Sequence, residues 1–367
     1  MIDRLVRKGV AELPEYIPGK SKEEVVRRFG LNYEDVVKLA SNENPFGPSP
    51  LAVKAIQEYA EEVNVYPESG AETLRKELAS SFSLKPQNLI IGNGSDEVME
   101  LAVKAFLNPG EEVIIPFPTF SMYESFTRLY SGKIVRHPLD ASFDYAVDSL
   151  LDKITPRTKI VFLCSPNNPT GSVISEGDLR QILEREALVI LDEAYAEFAD
   201  KSMVPLVKGY ENLLVLRTFS KAYGLAGLRV GYGVAGKKII DYLFRVKPPF
   251  NVNLLAQRAA VEALRDIEHL EQTVARTVAG REYLIRELSR LSGVKVYQSQ
   301  GNFVLLELIG DNVSARGVME EMMKEGIIVR SCEGFGLEDR YIRVSVGREE
   351  ENTRFIQKFK EKLSHGK

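Results

Sequence analysis

Short, continuously apolar segments that alternate with amphipathic helical segments are the feature of this sequence that most constrains its fold. The apolar segments are rich in Ile, Val and Leu and lie at residues 89–91, 113–115, 160–164, 188–191 and 213–216. Between the first two, residues 96–107 place their apolar side chains at helical spacing on one face. Strands that are apolar on both faces are typical of a parallel sheet covered by helices on both sides. The pattern therefore predicts a large, doubly wound α/β domain with a mostly parallel sheet.

The sequence changes character after Asn251, which indicates a second domain. Charged helical segments extend over roughly 254–291, and two strand-like runs follow at 303–308 and 341–346. A final amphipathic helix reaches Leu363. This order favours a smaller α+β domain that the N-terminal segment completes. We predict an N-terminal arm with part of the small domain at residues 1–40, a large domain at 41–275 and a C-terminal small domain at 276–367.

Composition and charge exclude several classes of partner. Lys and Arg total 48 against 52 for Asp and Glu, a net charge of −4, so the basic excess of a nucleic-acid-binding protein is missing. Cys164 and Cys332 are the two cysteines and the three histidines are scattered, so we predict neither a disulfide framework nor a metal site. No segment approaches the ~18 apolar residues of a membrane helix. Charged residues run through the N-terminal segment in place of an apolar signal core, so we expect a cytoplasmic protein.

Polar motifs follow four of the five apolar segments directly. They are GNGSDE at 92–97, SPNNPTG at 165–171, DEAY at 192–195 and RTFSKAYGLAGLRVG at 217–231. In an open parallel sheet, ligands bind outside the carboxyl ends of the strands. We therefore expect these motifs to meet at one edge of the sheet and to form the functional site.

The first of these motifs is suited to binding a phosphate group. Gly94, Ser95 and Asp96 would present backbone N–H groups at the start of a helix, where an anion is stabilised. Ser220 and Arg229 could add side-chain donors to the same group. The sequence therefore predicts a phosphate at this edge.

An acid and a lysine complete the predicted site. Asp192 would be a buried carboxylate at a strand end, which is costly unless a cation faces it. Lys221 would be a partly buried amine, and burial lowers the pKa of an amine and frees it for nucleophilic attack. A phosphate clamp, a partner for a pyridinium nitrogen and a lysine for a Schiff base are the three requirements of pyridoxal 5'-phosphate.

The motifs SPNNPTG, LDEAY and TFSKAYGLAGLRVGY, in this order, resemble those of the fold-type-I aminotransferases of the aspartate-aminotransferase superfamily. Five further segments are similar to the histidinol-phosphate aminotransferases within it: EYIPGKSKEEV, KLASNENPFGPSP, YPESG, GNGSDEVMELAVKAF and YIRVSVGREEEN. The resemblance implies a homodimer that transfers the amino group of L-histidinol phosphate to 2-oxoglutarate in histidine biosynthesis. An aromatic-amino-acid aminotransferase and a threonine-phosphate decarboxylase of the same fold are the alternatives.

The resemblance also implies roles for residues around the cofactor ring. Lys221 would form the Schiff base, and Asp192 would pair with the ring nitrogen. Tyr195 and Asn168 would bond the phenolic oxygen of the ring. Phe120 occupies the position of a stacking aromatic residue, which is commonly Tyr in the family.

Other matched positions would hold the phosphate and the substrate. The cofactor phosphate would be surrounded by Gly94, Ser95, Asp96, Thr218, Ser220 and Arg229, joined by Tyr66 from the second subunit. Arg343 would bind the anionic group of the substrate, and Arg330 would bind the substrate phosphate. Tyr16 and Asn44 fall in segments that line the substrate side.

One glycine-rich pattern points away from this interpretation. Gly231, Gly233 and Gly236 satisfy the spacing GxGxxG of dinucleotide-binding loops. No acidic residue stands at a following strand end about 20 positions on, as such a loop requires. We predict instead that these glycines belong to a strand that leaves the lysine loop.

Overall fold

A seven-stranded sheet forms the centre of the large domain. The computed structural model describes residues 1–11, 13, 15, 19–310 and 314–364. The strands of all three sheets in these residues are β1 (Val37–Lys38), β2 (Leu89–Gly92), β3 (Glu112–Phe117), β4 (Lys133–Pro138), β5 (Thr158–Cys164), β6 (Leu188–Asp192), β7 (Leu213–Thr218), β8 (Gly231–Ala235), β9 (Val294–Val296), β10 (Phe303–Leu308), β11 (Ile327–Ile328), β12 (Arg330–Ser331) and β13 (Tyr341–Ser345). The large sheet has the order β2-β8-β7-β6-β5-β3-β4. Strand β8 runs antiparallel to both neighbours and the other adjacent pairs are parallel, which confirms the predicted mostly parallel sheet.

Helices cover both faces of this sheet. The helices are α1 (Lys8–Ala11), α2 (Lys22–Phe29), α3 (Pro50–Tyr59), α4 (Glu72–Ser81), α5 (Ser95–Phe106), α6 (Met122–Leu129), α7 (Val147–Leu151), α8 (Glu176–Leu183), α9 (Lys237–Val246), α10 (Leu254–Arg265), α11 (Ile267–Leu288), α12 (Ala315–Lys324) and α13 (Glu349–Ser364). Along β6, Val189 and Leu191 pack in the core beneath α3, α4, α8 and α10, whereas Leu188 and Ile190 pack beneath α5, α6 and α9. Each fully buried side chain of this kind stabilises the fold by about 1.5–3 kcal/mol. The strands are apolar at every position because both of their faces are buried under helices, as the sequence predicted.

A four-stranded antiparallel sheet with the order β12-β13-β10-β9 lies in the C-terminal part of the chain. Helices α11, α12 and α13 pack on it through an apolar cluster that includes Leu284, Met322 and Phe355. The N-terminal segment joins this unit, because β1 pairs with β11 in parallel. The predicted domain boundaries at residues 40 and 275 stay a prediction, and residue 275 lies inside the continuous helix α11.

Local capping residues determine several element ends. Ser21 caps α2 by accepting a hydrogen bond from the backbone N–H of Glu24, and Gly30 ends the helix in the left-handed conformation. The long charged stretch is two helices, because Asp266 separates α10 from α11 and caps the latter. Gly231 and Gly233 lie in β8, as predicted, whereas the prediction is wrong for Gly236, which follows the strand and is the N-cap of α9. A Cβ atom at Gly231 would stand 2.3 Å from the backbone nitrogen of Ser95.

Across the described part of the chain, no helix is both long and apolar enough to span a membrane.

Candidate active site

The carboxyl ends of the parallel strands open into one cavity, which the small domain and the loop before α3 close. Thirteen of the predicted site residues line it: Gly94, Ser95, Asp96, Phe120, Asn168, Asp192, Tyr195, Thr218, Ser220, Lys221, Arg229, Arg330 and Arg343. Tyr66 lies elsewhere, with 78% of its surface exposed. Asn44 borders a neighbouring pocket and donates to the carbonyl oxygen of Ala222 at 2.9 Å. Tyr16 lies outside the described residues.

The start of α5 forms a cradle for an anion. Gly94 precedes the helix with φ +85°, and a Cβ atom there would stand 2.8 Å from Nη2 of Arg229. Glycine therefore lets the guanidinium approach the helix start closely. Because glycine has no side chain to cap the helix, the N–H groups of Ser95 and Asp96 face the cavity edge together with the positive end of the helix dipole.

Residues of the loop after β7 approach the same cradle. Thr218 accepts a hydrogen bond from the backbone N–H of Ser220 at 3.0 Å, which folds the loop back toward the sheet. Arg229 has φ +55°, an uncommon conformation for a residue other than glycine, and its Nη2 lies 3.4 Å from Oδ2 of Asp96. Backbone N–H groups, hydroxyls and a guanidinium thus surround one point, which is the donor set that a phosphate group needs.

Asp192 ends β6 as a buried carboxylate that is 4% exposed. The hydroxyl of Tyr123 donates to its Oδ2 at 2.8 Å, and the backbone N–H of Ala194 donates to its Oδ1 at 3.0 Å. Burial raises the pKa of Asp192 to about 6, although these two hydrogen bonds act in the opposite direction. A cationic partner in the cavity would stabilise the charged form.

Lys221 projects into the same cavity from the loop after β7. Its Nζ lies 3.3 Å from the carbonyl oxygen of Ser41 and 5.6 Å from the ring centroid of Tyr195. Burial lowers the pKa of Lys221 to about 8, and the nearby positive charge of Arg343 acts in the same direction. A substantial fraction of this lysine is therefore a neutral amine near physiological pH, as a nucleophile or base requires.

Tyr195 and Asn168 also line the cavity, and both are buried. The hydroxyl of Tyr195 accepts a hydrogen bond from Nδ2 of Asn42 at 3.0 Å, and burial raises the pKa of Tyr195. Oδ1 of Asn168 accepts a hydrogen bond from Nη1 of Arg343 at 2.5 Å. Phe120 borders the cavity with its ring perpendicular to that of Tyr123, and its stacking on a cofactor stays a prediction.

Two arginines lie opposite each other on neighbouring strands of the small-domain sheet. Arg330 on β12 and Arg343 on β13 are direct register partners in an antiparallel pair. Both guanidinium groups lie within 6 Å of the ring centroid of Phe335, at 5.9 and 5.4 Å. Like charges directly opposite each other are unfavourable in a sheet. Two guanidinium groups at this wall of the cavity can bind an anionic ligand.

Three residues of the site were missed by the sequence analysis: Asn42, Tyr123 and Phe335. Asn42 stands in the loop segment from which Asn44 was selected, and both are asparagines of one SNENP motif. Tyr123 lies in the first turn of α6, three residues after Phe120, and its place in the segment that follows β3 is the available signal.

The family model described as aminotransferase class I and II matches residues 34–359 of the chain. The curated histidinol-phosphate aminotransferase of Methanocaldococcus jannaschii is 44% identical over 371 aligned positions, which cover 99% of this chain and 99% of that protein. This chain belongs to the class I and II aminotransferases, in the histidinol-phosphate aminotransferase family. The family predicted from the motifs is thereby confirmed, and the chain is an enzyme.

Solved structures share the fold of this aminotransferase. The histidinol-phosphate aminotransferase from Sinorhizobium meliloti in complex with pyridoxal-5'-phosphate superposes with a TM-score of 0.87 at 24% identity, covering 99% of this chain and 98% of that one. L-threonine-O-3-phosphate decarboxylase from Porphyromonas gingivalis gives a TM-score of 0.80 at 27% identity, covering 90% of this chain and all of that one. The predicted fold type I is confirmed, and family membership supports pyridoxal 5'-phosphate as the cofactor of this aminotransferase.

Proposed function

We propose that this aminotransferase converts L-histidinol phosphate and 2-oxoglutarate into imidazole-acetol phosphate and L-glutamate, a step of histidine biosynthesis. The observation that carries the proposal is the pairing of Arg330 with Arg343 at the wall of the cavity that holds Lys221 and Asp192. Two facing guanidinium groups suit a doubly charged phosphate, and the curated relative with 44% identity bears the corresponding name. An aromatic amino-acid substrate would offer these two groups a single carboxylate, whereas histidinol phosphate offers a dianionic phosphate. The decarboxylase alternative shares the fold, but it receives less support from the relatives than transamination does.

The residues of the cavity fit pyridoxal 5'-phosphate. The cradle at Gly94, which a Cβ atom would obstruct, accommodates a phosphate, and a protonated ring nitrogen would give buried Asp192 a cationic partner. When bound, the cofactor supplies an electron-withdrawing ring that stabilises the electron pair left by the breaking Cα–H bond of the substrate. We assign the phosphate to the helix start and Arg229, and the ring to the space beside Phe120, Asp192 and Tyr195.

The chain's own groups then divide the work of proton transfer. Lys221, with its lowered pKa, would accept the proton from the substrate Cα as a neutral amine and would deliver it to the other carbon bonded to the same nitrogen, two bonds from Cα. Asp192 holds the proton on the ring nitrogen. Because this carboxylate is buried away from water, the protonated nitrogen would be the partner that stabilises its negative charge. Tyr123 fixes the orientation of the carboxylate through its 2.8 Å hydrogen bond.

The two arginines set the substrate preference. Arg343 is 4% exposed and would bind the carboxylate of glutamate and the phosphate of histidinol phosphate in turn. It bonds Asn168 and the carbonyl oxygen of Ala40, so an entering anion meets a guanidinium that is already oriented. Arg330 is more accessible and would add a second contact to the dianionic phosphate.

Substitution of each arginine should separate the two substrates. We expect Arg343→Ala to lower the specificity constants for glutamate and for histidinol phosphate alike. Arg330→Ala should lower the constant for histidinol phosphate by about ten- to a hundred-fold, the cost of a charge-assisted hydrogen bond, and affect glutamate less. Steady-state kinetics of both half-reactions measure this.

Arg316→Ala is the matched control, because Arg316 is exposed and pairs with Glu333 at the surface. Its specificity constants should equal those of the wild type. Equal losses for both substrates in Arg330→Ala would contradict the assignment of Arg330 to the phosphate.

We further propose a homodimer in which Tyr66 completes the active site of the second subunit. Tyr66 is exposed, its ring stacks on that of Phe250 with 4.6 Å between centroids, and Val63 and Val65 beside it are also exposed. Together these side chains form an apolar surface of the kind that marks a protein interface. Its hydroxyl would donate to the cofactor phosphate of the partner.

Subunit exchange tests this sharing. Tyr66→Ala and Lys221→Ala subunits should each form dimers of low activity when assayed at limiting cofactor. In an equal mixture, each hybrid dimer regains one complete site, so activity should rise toward about a quarter of the wild type. Tyr242→Ala is the control for Tyr66→Ala. Tyr242 is also exposed, and dimers of this variant should have normal activity before mixing. A monomeric enzyme, or a mixture no more active than the sum of its parts, would contradict the proposal.

We also propose that the enzyme is located in the cytoplasm. This location is supported by Cys164 and Cys332, which are buried and form no disulfide, as expected in a reducing compartment. Recovery of the native enzyme in a membrane or secreted fraction would contradict it.

A further inference from the structure

Asn42 is a buried polar residue beside the catalytic side chains, and the mechanism above gives it no role. It is 1% exposed and has φ +54°, a left-handed conformation that asparagine and glycine adopt more readily than other residues. Its side-chain Nδ2 donates to the hydroxyl oxygen of Tyr195 at 3.0 Å. This contact joins the loop before α3 to the end of β6 across the cavity edge.

The orientation of the Asn42 amide is set by Ser345 on β13. The backbone N–H of Asn42 donates to Oγ of Ser345 at 2.8 Å, and Oγ in turn donates to Oδ1 of Asn42 at 2.8 Å. Ser345 thus acts as acceptor and donor toward the same residue, which leaves Nδ2 directed at Tyr195. Nδ2 of Asn302 donates to the carbonyl oxygen of Asn42 at 3.0 Å and holds the loop in place.

This arrangement decides where the proton of Tyr195 can go. An amide NH₂ group only donates, so the hydroxyl oxygen of Tyr195 accepts from Asn42 and its own proton needs a different acceptor. We propose that Asn42 is a positioning residue that directs the hydroxyl proton of Tyr195 toward the ring oxygen of the bound cofactor. The inference rests on the cofactor site proposed above.

The charged and titratable groups around Tyr195 are the same in the wild type and in the variants of Asn42. Nζ of Lys221 lies 5.6 Å from its ring centroid, and Arg343, Asp192 and the Cys164 thiol also act on it electrostatically. None of these groups is altered when the Asn42 side chain is removed. A change in titration behaviour can therefore be assigned to the hydrogen bond.

The readout is the pH midpoint at which the visible absorption of the lysine-bound cofactor changes. A hydrogen bond donated to the ring oxygen withdraws negative charge from it, so that oxygen stabilises the neighbouring protonated nitrogen less. Asn42→Gly removes the amide while glycine accepts φ +54° without strain. Its midpoint should rise by about 0.5 to 1 pH unit, the size expected for one neutral hydrogen bond.

A double-mutant cycle shows whether Asn42 acts through Tyr195. Tyr195→Phe alone should raise the midpoint at least as far, and adding Asn42→Gly to it should cause no further rise. Ser345→Ala, which frees the amide to rotate, should shift the midpoint in the same direction by a smaller amount and provides a second variant in which residue 42 itself is unchanged.

Three results would overturn the inference: an unchanged midpoint in Asn42→Gly, a fall instead of a rise, or equal shifts in the presence and absence of the Tyr195 hydroxyl. A fall would mean that Asn42 accepts the proton of Tyr195 rather than redirecting it. The titration needs no substrate. An enzyme that titrates as expected but does not transaminate histidinol phosphate would therefore contradict the proposed function alone.

Discussion

Lys221→Ala should abolish transamination while leaving the fold intact. In the proposed mechanism the lysine binds the cofactor covalently and moves the proton, and proton transfer by a positioned side chain alone contributes about 10²- to 10⁴-fold in rate. Its lowered pKa of about 8 makes the neutral amine available for both tasks. Because Lys221 makes one weak hydrogen bond, to the carbonyl oxygen of Ser41, its truncation should cost little stability. Single-turnover kinetics of the purified variant measure the loss.

Chemical trapping locates the reactive lysine independently of activity. Borohydride reduction of the yellow wild-type enzyme should fix the cofactor on the peptide that contains Lys221. Lys237→Ala is the matched control, because Lys237 is an exposed surface residue paired with Asp241. It should retain full activity and the same labelled peptide. Label on another lysine would refute the assignment.

Asp192→Asn should retain the cofactor but slow proton abstraction by about 10²- to 10³-fold or more, the range for loss of one preorganised electrostatic contact. An amide cannot hold a proton on the ring nitrogen by ionic attraction. Asparagine has nearly the same shape as aspartate, so it should fit between Tyr123 and Ala194 without disturbing the cavity. The loss should therefore appear in kcat more than in cofactor affinity. Rapid-mixing kinetics with a substrate deuterated at Cα measure the step.

Asp241→Asn provides the control for this variant, since Asp241 is an exposed acid far from the cavity lining. Its rate should match that of the wild type. Near-normal turnover in Asp192→Asn would show that another group is the partner of the ring nitrogen.

The strand ends were the part of this molecule that sequence could predict best. An apolar run defines a strand, and the first polar residues after it must stand at the carboxyl edge of a parallel sheet. Asp192 and Lys221 therefore lie in one cavity as expected, although 29 residues separate them. The position of Gly94 was also readable, because glycine before a helix start is typical of anion-binding loops.

Contacts that depend on packing between distant segments could not be read in this way. The bond between Asn42 and Tyr195 joins residues 153 positions apart, and no periodicity encodes it. The register that sets Arg330 opposite Arg343 depends on how β12 meets β13, whereas the sequence shows only a thirteen-residue spacing. Tyr66 illustrates a different limit, since its proposed role requires a second chain.

The most direct test of the account is the wild-type specificity constant for histidinol phosphate compared with those for histidinol, phenylalanine, tyrosine and threonine phosphate, with 2-oxoglutarate as amino acceptor. The account predicts the highest constant for histidinol phosphate. Histidinol should be poorer by about a hundred-fold or more, because two charge-assisted hydrogen bonds, those of Arg330 and Arg343, lose their phosphate partner. A higher constant for phenylalanine or tyrosine, or carbon dioxide release from threonine phosphate, would contradict it.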